Sequence, residues 1–153
     1  MTNNDILRRL RYALDLDDLS LVKFMESQGV KSNVDEVRAQ MLRDDDPEAI
    51  PLDNASFEAL LDGFIVARRG PPPEGATPPP KVQFNNNVIL KKLRIALSMR
   101  NTDILDVVAL GGRTLSKAEL GGLMRPPDHR HYRPCGDQLL RAFLAGLTKR
   151  ERG

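Results

Sequence analysis

An internal repeat restricts what this chain can fold into more than any other feature of its sequence. Residues 3–70 and 86–153 align at a constant offset of 83 residues without a gap, and 18 of the 68 aligned pairs are identical. The opening segment Asn3 to Leu14 recurs as Asn86 to Leu97, with the same Asn-Asn pair and the same spacing of leucines. Single identities continue to the end of each copy: Gly29 and Gly112, Glu36 and Glu119, Met41 and Met124, Pro51 and Pro134, Leu61 and Leu144, Gly63 and Gly146. We therefore expect two copies of one fold, and the differences between the copies indicate where function diverges.

The length and composition predict that the copies pack together. The chain has 153 residues, 41% of them hydrophobic, and a 68-residue unit is close to the lower limit for folding alone. The apolar runs are far shorter than the ~20 residues that cross a bilayer, and the first residues hold no apolar stretch typical of a signal peptide. The single cysteine, Cys135, excludes an internal disulfide and fits a reducing compartment. We expect a soluble, cytoplasmic protein that makes no contact with membranes.

Charge is divided unequally between the copies. Residues 1–70 hold 9 Lys and Arg against 14 Asp and Glu, whereas residues 71–153 hold 14 against 7, so the net charges are −5 and +7. Electrostatic attraction between the two halves is the first interpretation of this division. The alternatives are the steering of an oppositely charged protein and a phosphate-binding surface on the second half.

The periodicity of apolar residues predicts an all-α fold with four helices in each copy. In the first helix, Ile6, Leu7 and Leu10 follow the 3.6-residue period, and no stretch alternates as a strand would. The segment 71–85 carries six of the eleven prolines and is interpreted as a semi-rigid linker. The expected organisation is therefore an acidic helical repeat over 1–70, a Pro-rich linker over 71–85 and a basic helical repeat over 86–153.

Capping patterns place the helix ends. The Asn-Asn pairs at 3–4 and 86–87 stand where an N-cap is expected, and Asn54 or Asp137 is expected to cap the last helix of each copy. Asn33-x-x-Glu36 and Ser116-x-x-Glu119 fit a capping box at the start of the third helix. Glycines at 29 and 111–112 fit the end of the second helix.

Three segments carry a resemblance to a known family: TNNDILRRLRYALDL at the start, and LGGRTLSKAELGGLMR and HYRPCGDQLLRAFLAGL in the second copy. Together they resemble the YehS-like family of small uncharacterised bacterial proteins, which are built of a tandem domain of unknown function. The resemblance covers essentially the whole chain. It implies a bacterial origin and the duplicated architecture, and it supplies no catalytic residues.

A candidate metal or thiol site lies in the loop before the last helix. His129, His131 and Cys135 gather both histidines and the single cysteine within a few residues, with donor atoms that suit tetrahedral zinc. Against this, copy 1 has Asp46, Glu48 and Leu52 at the same positions and must fold without that metal. The alternative interpretation is that Cys135 is a small buried core residue and that the histidines are solvated. Thiol catalysis is less favoured still, because it needs a base and an oxyanion site that sequence proximity does not provide.

A helix-turn-helix arrangement is the second candidate. Residues 19–42 and 102–125 each predict a short helix, a glycine turn and a capped third helix. In copy 2 the basic residues that would reach phosphates or base edges are Arg113, Lys117, Arg125, Arg130 and Arg133. The turn is longer than in the standard motif and glycines 121–122 weaken the third helix, while the acidic run 44–46 would repel DNA from copy 1.

Basic residues also repeat along the opening helices, at 8, 9 and 11 and at 91, 92 and 94. A solvated helix face is the ordinary interpretation, and a buried ion pair of Arg11 or Arg94 with an acidic residue of the neighbouring helix is the alternative. The acidic residues 15, 17 and 18 lack the spacing of a calcium loop and are interpreted as a helix end and cap.

The function favoured by these observations is that of a non-enzymatic bacterial adaptor, without a cofactor, which binds an unknown protein partner. The first alternative is nucleic-acid binding or regulation through copy 2. The second alternative, from another class, is a metal- or thiol-dependent enzyme at His129, His131 and Cys135.

Overall fold

The computed structural model describes residues 1–78 and 81–153, and all regular secondary structure in these residues is helical. Copy 1 contains α1 Asn3–Leu14, α2 Asp18–Ser27, α3 Val34–Gln40 and α4 Asn54–Arg69. Copy 2 contains α5 Asn86–Ala96, α6 Asn101–Leu110, α7 Lys117–Met124 and α8 Asp137–Arg152. The all-α prediction with four helices in each copy is confirmed. Pro79 and Pro80 of the expected linker lie outside the described residues.

The ends of the helices differ from prediction by one residue at several places, for local reasons. Thr2 and Asn85, not the Asn-Asn pairs, cap α1 and α5, because their backbones are still extended and their side chains accept from the amides of Asp5 and Val88. Asp53 caps α4 by accepting from the Ser56 amide at 2.7 Å, and the glycine at 136 precedes α8. The predictions that placed these caps one residue later were wrong.

The third helices begin after the predicted capping residues, but only the copy 2 helix shows the full reciprocal capping box. Asn33 accepts from the Glu36 amide at 2.8 Å. In α7 the box is complete, since Ser116 accepts from the Glu119 amide at 3.0 Å and the Glu119 carboxylate accepts from the Ser116 amide at 3.1 Å. The predicted glycines end α2 and α6, with positive φ at Gly29 and Gly112.

The two copies form one hydrophobic core. Within each copy the second and fourth helices pack together, as α2 on α4 and α6 on α8. Between the copies the packing is reciprocal, because α1 contacts α8 and α5 contacts α4. The first helix of each copy therefore lies on the last helix of the other, which is the arrangement of a pseudo-two-fold axis. Among the described residues no helix has both the length and the apolar character needed to span a membrane, and the cytoplasmic location stays a prediction.

Candidate functional site

The loop that contains both histidines and the cysteine does not bring their donor atoms together. Cys135 is buried with 6% of its surface exposed, while His129 and His131 are exposed. The two imidazole rings lie with their centroids 5.6 Å apart and their planes tilted by 40°. Among residues 1–78 and 81–153 no three His, Cys, Asp or Glu side chains are grouped so that they could hold a metal ion. The geometry therefore supplies no zinc site at these residues.

The side chain of Cys135 belongs to the hydrophobic core. Burial, with a smaller contribution from the nearby Asp137 carboxylate, raises the pKa of Cys135 to about 11, so the thiolate is disfavoured near neutral pH. The equivalent Leu52 is buried to a similar extent, with 3% exposed. The interpretation of Cys135 as a core residue is confirmed by this burial.

The five basic residues singled out in copy 2 are all exposed and lie on or beside α7. The loop after α7 runs back along this helix, since a Cβ on Gly122 would stand 2.9 Å from the carbonyl oxygen of His131. This return brings Arg133 to the Glu119 carboxylate at 3.0 Å. Arg125 lies 2.9 Å from a ring nitrogen of His129, and Arg113 donates to Gln138 at 2.9 Å. We call this set the basic face of copy 2; its members are Arg113, Lys117, Arg125, Arg130 and Arg133.

The matching surface of copy 1 carries no charge at the same five positions. Its residues, which we call the apolar face of copy 1, are Val30, Val34, Leu42, Pro47 and Ile50. Ile50 is the large hydrophobic residue exposed there, with 41% of its surface accessible. The exposed acidic residues Asp44 and Asp45 border it. One backbone arrangement thus presents a basic surface in copy 2 and an apolar, acid-bordered surface in copy 1.

Two buried asparagines position both faces, and their role was missed from the sequence. The Asn87 side chain donates to the carbonyl oxygens of Leu123 and Arg133 at 3.1 and 2.8 Å and accepts from the Cys135 amide at 2.8 Å. Asn4 makes the equivalent three bonds in copy 1, to Gln40, Ile50 and Leu52, at 2.9, 2.8 and 2.8 Å. Each asparagine therefore fastens the loop before the last helix to the first helix. The sequence feature that could have indicated this role is that both asparagines are identical in two copies whose sequences otherwise differ at most positions.

The basic residues of the opening helices have separate structural roles. Arg8 donates to the carbonyl oxygen of Leu42 at 2.6 Å, and the equivalent Lys91 donates to that of Arg125 at 3.3 Å. Arg11 forms an ion pair with Asp18 of α2 at 3.2 Å, in which its side chain stays 42% exposed. The ion-pair interpretation is therefore met in copy 1, although not as a fully buried pair. In copy 2 the residue equivalent to Asp18 is an asparagine, and the Nε of Arg94 has no partner among the described residues.

The reciprocal packing gives two equivalent seams between the copies, α5 on α4 and α1 on α8, and we call the surface along each seam a groove. Along α5 and α4, Lys92 bridges to Asp62 at 2.5 Å and to Glu58 at 3.5 Å. Along α1 and α8 the groove is open, with a volume of about 510 Å³ lined by Arg9, Tyr12 and residues of α8 that include Ala145. The two grooves are structurally equivalent and differ chemically.

Comparison with known proteins agrees with the internal repeat. A family model described as a protein of unknown function, DUF1456, matches the chain twice, over residues 3–70 and 86–153. The uncharacterised protein YehS of Escherichia coli (strain K12) is 34% identical over 151 residues, which cover 99% of this chain and 97% of that protein. No solved structure gives a significant match. The chain therefore belongs to the DUF1456 family of proteins of unknown function, in which it carries two tandem copies of the family's domain.

Proposed function

We propose that this protein is a non-catalytic binding protein that acts through protein–protein contacts, and that the apolar face of copy 1 is one of its contact surfaces. The observation that carries the proposal is the chemical difference between equivalent positions on one scaffold. Copy 2 has five basic residues where copy 1 has four aliphatic residues and a proline. On this face Pro47 and Ile50 are exposed, while the other three residues are half-buried. An apolar surface of this kind, bordered by carboxylates, suits a protein partner and repels nucleic acid.

Ile50 is the position at which to test this surface. Its side chain is 41% exposed, and its backbone carbonyl accepts from Asn4 whatever the side chain is. An Ile50→Asp variant should therefore fold normally and lose the apolar contact. Arg133→Asp is the matched control, since Arg133 is the equivalent position in copy 2 and its carbonyl accepts from Asn87 in the same way.

The experiment is a quantitative affinity purification of the full chain from the bacterial host, with wild type and both variants in parallel. A protein recovered in stoichiometric amount with wild type and with Arg133→Asp, and lost with Ile50→Asp, is the expected result. Recovery of the same protein with all three chains would remove the apolar face from the proposal. The absence of any stoichiometric partner would count against the adaptor function itself.

The exposure of the basic face favours a second candidate, nucleic-acid binding by copy 2. Its basic residues surround α7, where they would contact phosphates. The test is a fluorescence-anisotropy titration against labelled duplex DNA and structured RNA at low and near-physiological salt. Affinity that falls steeply with salt, and is abolished by combined Arg113→Glu, Lys117→Glu and Arg125→Glu, would support it. The matched control replaces three exposed lysines elsewhere, at positions 23, 31 and 81, by glutamate. The proposal requires that this control variant lose much less affinity than the variant of the basic face.

A further inference from the structure

The groove between α1 and α8 lacks the carboxylates that its twin contains. In the twin groove, Lys92 of α5 lies between Glu58 and Asp62 of α4, so the scaffold places two acidic groups opposite that cation. The residue equivalent to Lys92 is Arg9 of α1. The residues equivalent to Glu58 and Asp62 are an arginine and an alanine, at positions 141 and 145. A cation is therefore retained in the open groove while the acids that faced it are replaced.

The charges that border the two grooves differ accordingly. The α1–α8 groove is bordered by four cations, Arg8, Arg9, Arg141 and Lys149, and by two carboxylates, Asp5 and the Asp44 that pairs with Arg8 at 3.6 Å, so the net charge is +2. The positions equivalent to these six and to Ala145 hold two lysines, two carboxylates, two valines and a proline, and their net charge is zero. Among the described residues, Arg9 has a single ion-pair partner, Asp5, one turn earlier on its own helix at 3.3 Å. No carboxylate of α8 faces Arg9 in place of Asp62.

The shape and the apolar part of the open groove fit a side chain from outside. Ala145 leaves space where its equivalent is an aspartate, and the groove has a volume of about 510 Å³. Tyr12 lines it with 59% of its surface exposed, and the guanidinium group of Arg152 stacks on the ring at 4.2 Å. An exposed tyrosine beside cations is typical of a protein-binding surface.

We propose that the α1–α8 groove binds an acidic segment of a protein partner, with a carboxylate of that segment in the position that Asp62 occupies in the twin groove. The inference shares with the proposed function the assumption of a protein partner, but it uses a surface separate from the apolar face of copy 1. A peptide is favoured over nucleic acid, because the apolar surface of Tyr12 and Ala145 suits the side chains of a protein segment.

The test uses the full chain and a fluorescein-labelled peptide of ten glutamates, with a ten-glutamine peptide as the probe control. Anisotropy gives the affinity, and amide chemical shifts locate the site. We expect shifts concentrated on α1 and α8 near Arg9 and Ala145. Ala145→Asp should lower the affinity at least about fivefold, because the new carboxylate pairs with Arg9 and repels the peptide. Arg9→Gln should weaken binding in the same direction.

Two matched variants separate the groove from general attraction to positive charge. Ala118→Asp makes the same change beside the basic face of copy 2, and Lys23→Gln removes one exposed cation elsewhere, so both should leave the affinity within about twofold of wild type. A loss with Ala118→Asp as large as that with Ala145→Asp would overturn the proposal and assign binding to the basic face. Absence of binding at millimolar peptide, or tighter binding of a DNA duplex that shifts the same amides, would overturn it too. The Ile50→Asp variant should bind the peptide normally, so this proposal and the proposed function can fail separately.

Discussion

Each buried asparagine gives three backbone groups a hydrogen-bond partner that water cannot reach. Asn87 is 4% exposed and Asn4 is 6% exposed, and each bonds one carbonyl of the third helix and one carbonyl and one amide of the loop before the last helix. An unpaired backbone group in such a place costs about 1–3 kcal/mol. The loop that carries Arg130 and Arg133 in copy 2, and Ile50 in copy 1, is therefore held in place from inside the fold.

Asn87→Ala should reduce the free energy of unfolding by about 3 kcal/mol, because it leaves a carbonyl of α7 and a carbonyl and an amide of the loop without their buried partner. Urea denaturation followed by circular dichroism measures this loss. Asn101→Ala, an exposed asparagine at the start of α6, should change the value by less than about 0.5 kcal/mol. Similar losses in both variants would show that Asn87 does not hold the loop.

The sequence predicted these asparagines as N-caps because asparagine is common at that position, and the residues just before them compete for the same role. The sequence shows that the Asn-Asn pair is identical in the two copies. It does not show the hydrogen-bond partners of the buried asparagines, which are 36 to 48 residues away in the chain. The histidines and Cys135 were similarly ambiguous, since residues that are adjacent in a loop can point to opposite sides. Cys135 packs inward while His129 and His131 face solvent.

At the scale of helices, two glycines set the distance between the paired helices of each copy. A Cβ on Gly146 of α8 would stand 1.8 Å from the carbonyl oxygen of Val107 in α6, and one on Gly63 of α4 would stand 2.0 Å from that of Phe24 in α2. Those contacts are with backbone atoms, which cannot move without separating the helices. The repeated glycines therefore allow α2–α4 and α6–α8 to pack closely.

Gly146→Ala should destabilise the protein by about 3 kcal/mol or more, because the new methyl group overlaps the α6 backbone. Thermal unfolding is a suitable measurement. Gly121→Ala is the matched control within α7, where a Cβ meets no atom within 4 Å, and it should raise stability by about 0.5–1 kcal/mol through helix propensity. A stabilising Gly146→Ala would contradict the close packing.

The capping box of α7 predicts a dependence on pH. The hydrogen bond from the Ser116 amide, with a smaller contribution from the Ser116 hydroxyl, lowers the pKa of Glu119 below its ordinary value of 4.5. A lowered pKa in the folded state means that the stabilisation is complete above pH 4.5 and is lost as the pH falls through the lowered pKa. The stability advantage of wild type over Glu119→Gln should therefore shrink between about pH 5 and pH 3. Urea titrations of both proteins at each pH check this, and a constant difference would contradict the box.

The helices themselves were predictable, because each apolar stripe and each cap is a local pattern. The third helix of copy 1 nevertheless ends at Gln40, earlier than its pattern predicted. The pairing of helices was not predictable in the same way. An apolar stripe indicates which face of a helix is buried, but it does not indicate which neighbouring helix covers that face. The difference between the grooves had a signal in the alignment, at Glu58 against Arg141 and Asp62 against Ala145. These differences could be interpreted only once the structure showed that α1 packs on α8 and α5 packs on α4.

At the scale of the whole molecule, the reciprocal packing makes each copy depend on the other. Apolar residues of both copies belong to the single core, and the ring of Phe57 in copy 1 lies with its centroid 5.8 Å from that of Phe84, just before copy 2. Residues 1–70 and 81–153 expressed separately should each fail to give a cooperative thermal transition, because each would expose its part of this core. Mixing the two fragments should restore the transition and a one-to-one complex in size-exclusion chromatography. Independent cooperative unfolding of either fragment would contradict a shared core.

The reciprocal arrangement also bears on how such a chain can evolve. In a dimer of identical subunits every substitution occurs twice, so a change that opens one groove opens its twin and removes the ion pair at both. Here the two halves are encoded separately, and Lys92, Glu58 and Asp62 can keep one side closed while Arg9 and Ala145 open the other. Because the two copies lie in one chain, each can change its sequence independently of the other. The α4–α5 side can therefore contribute to stability while the α1–α8 side evolves to bind a ligand.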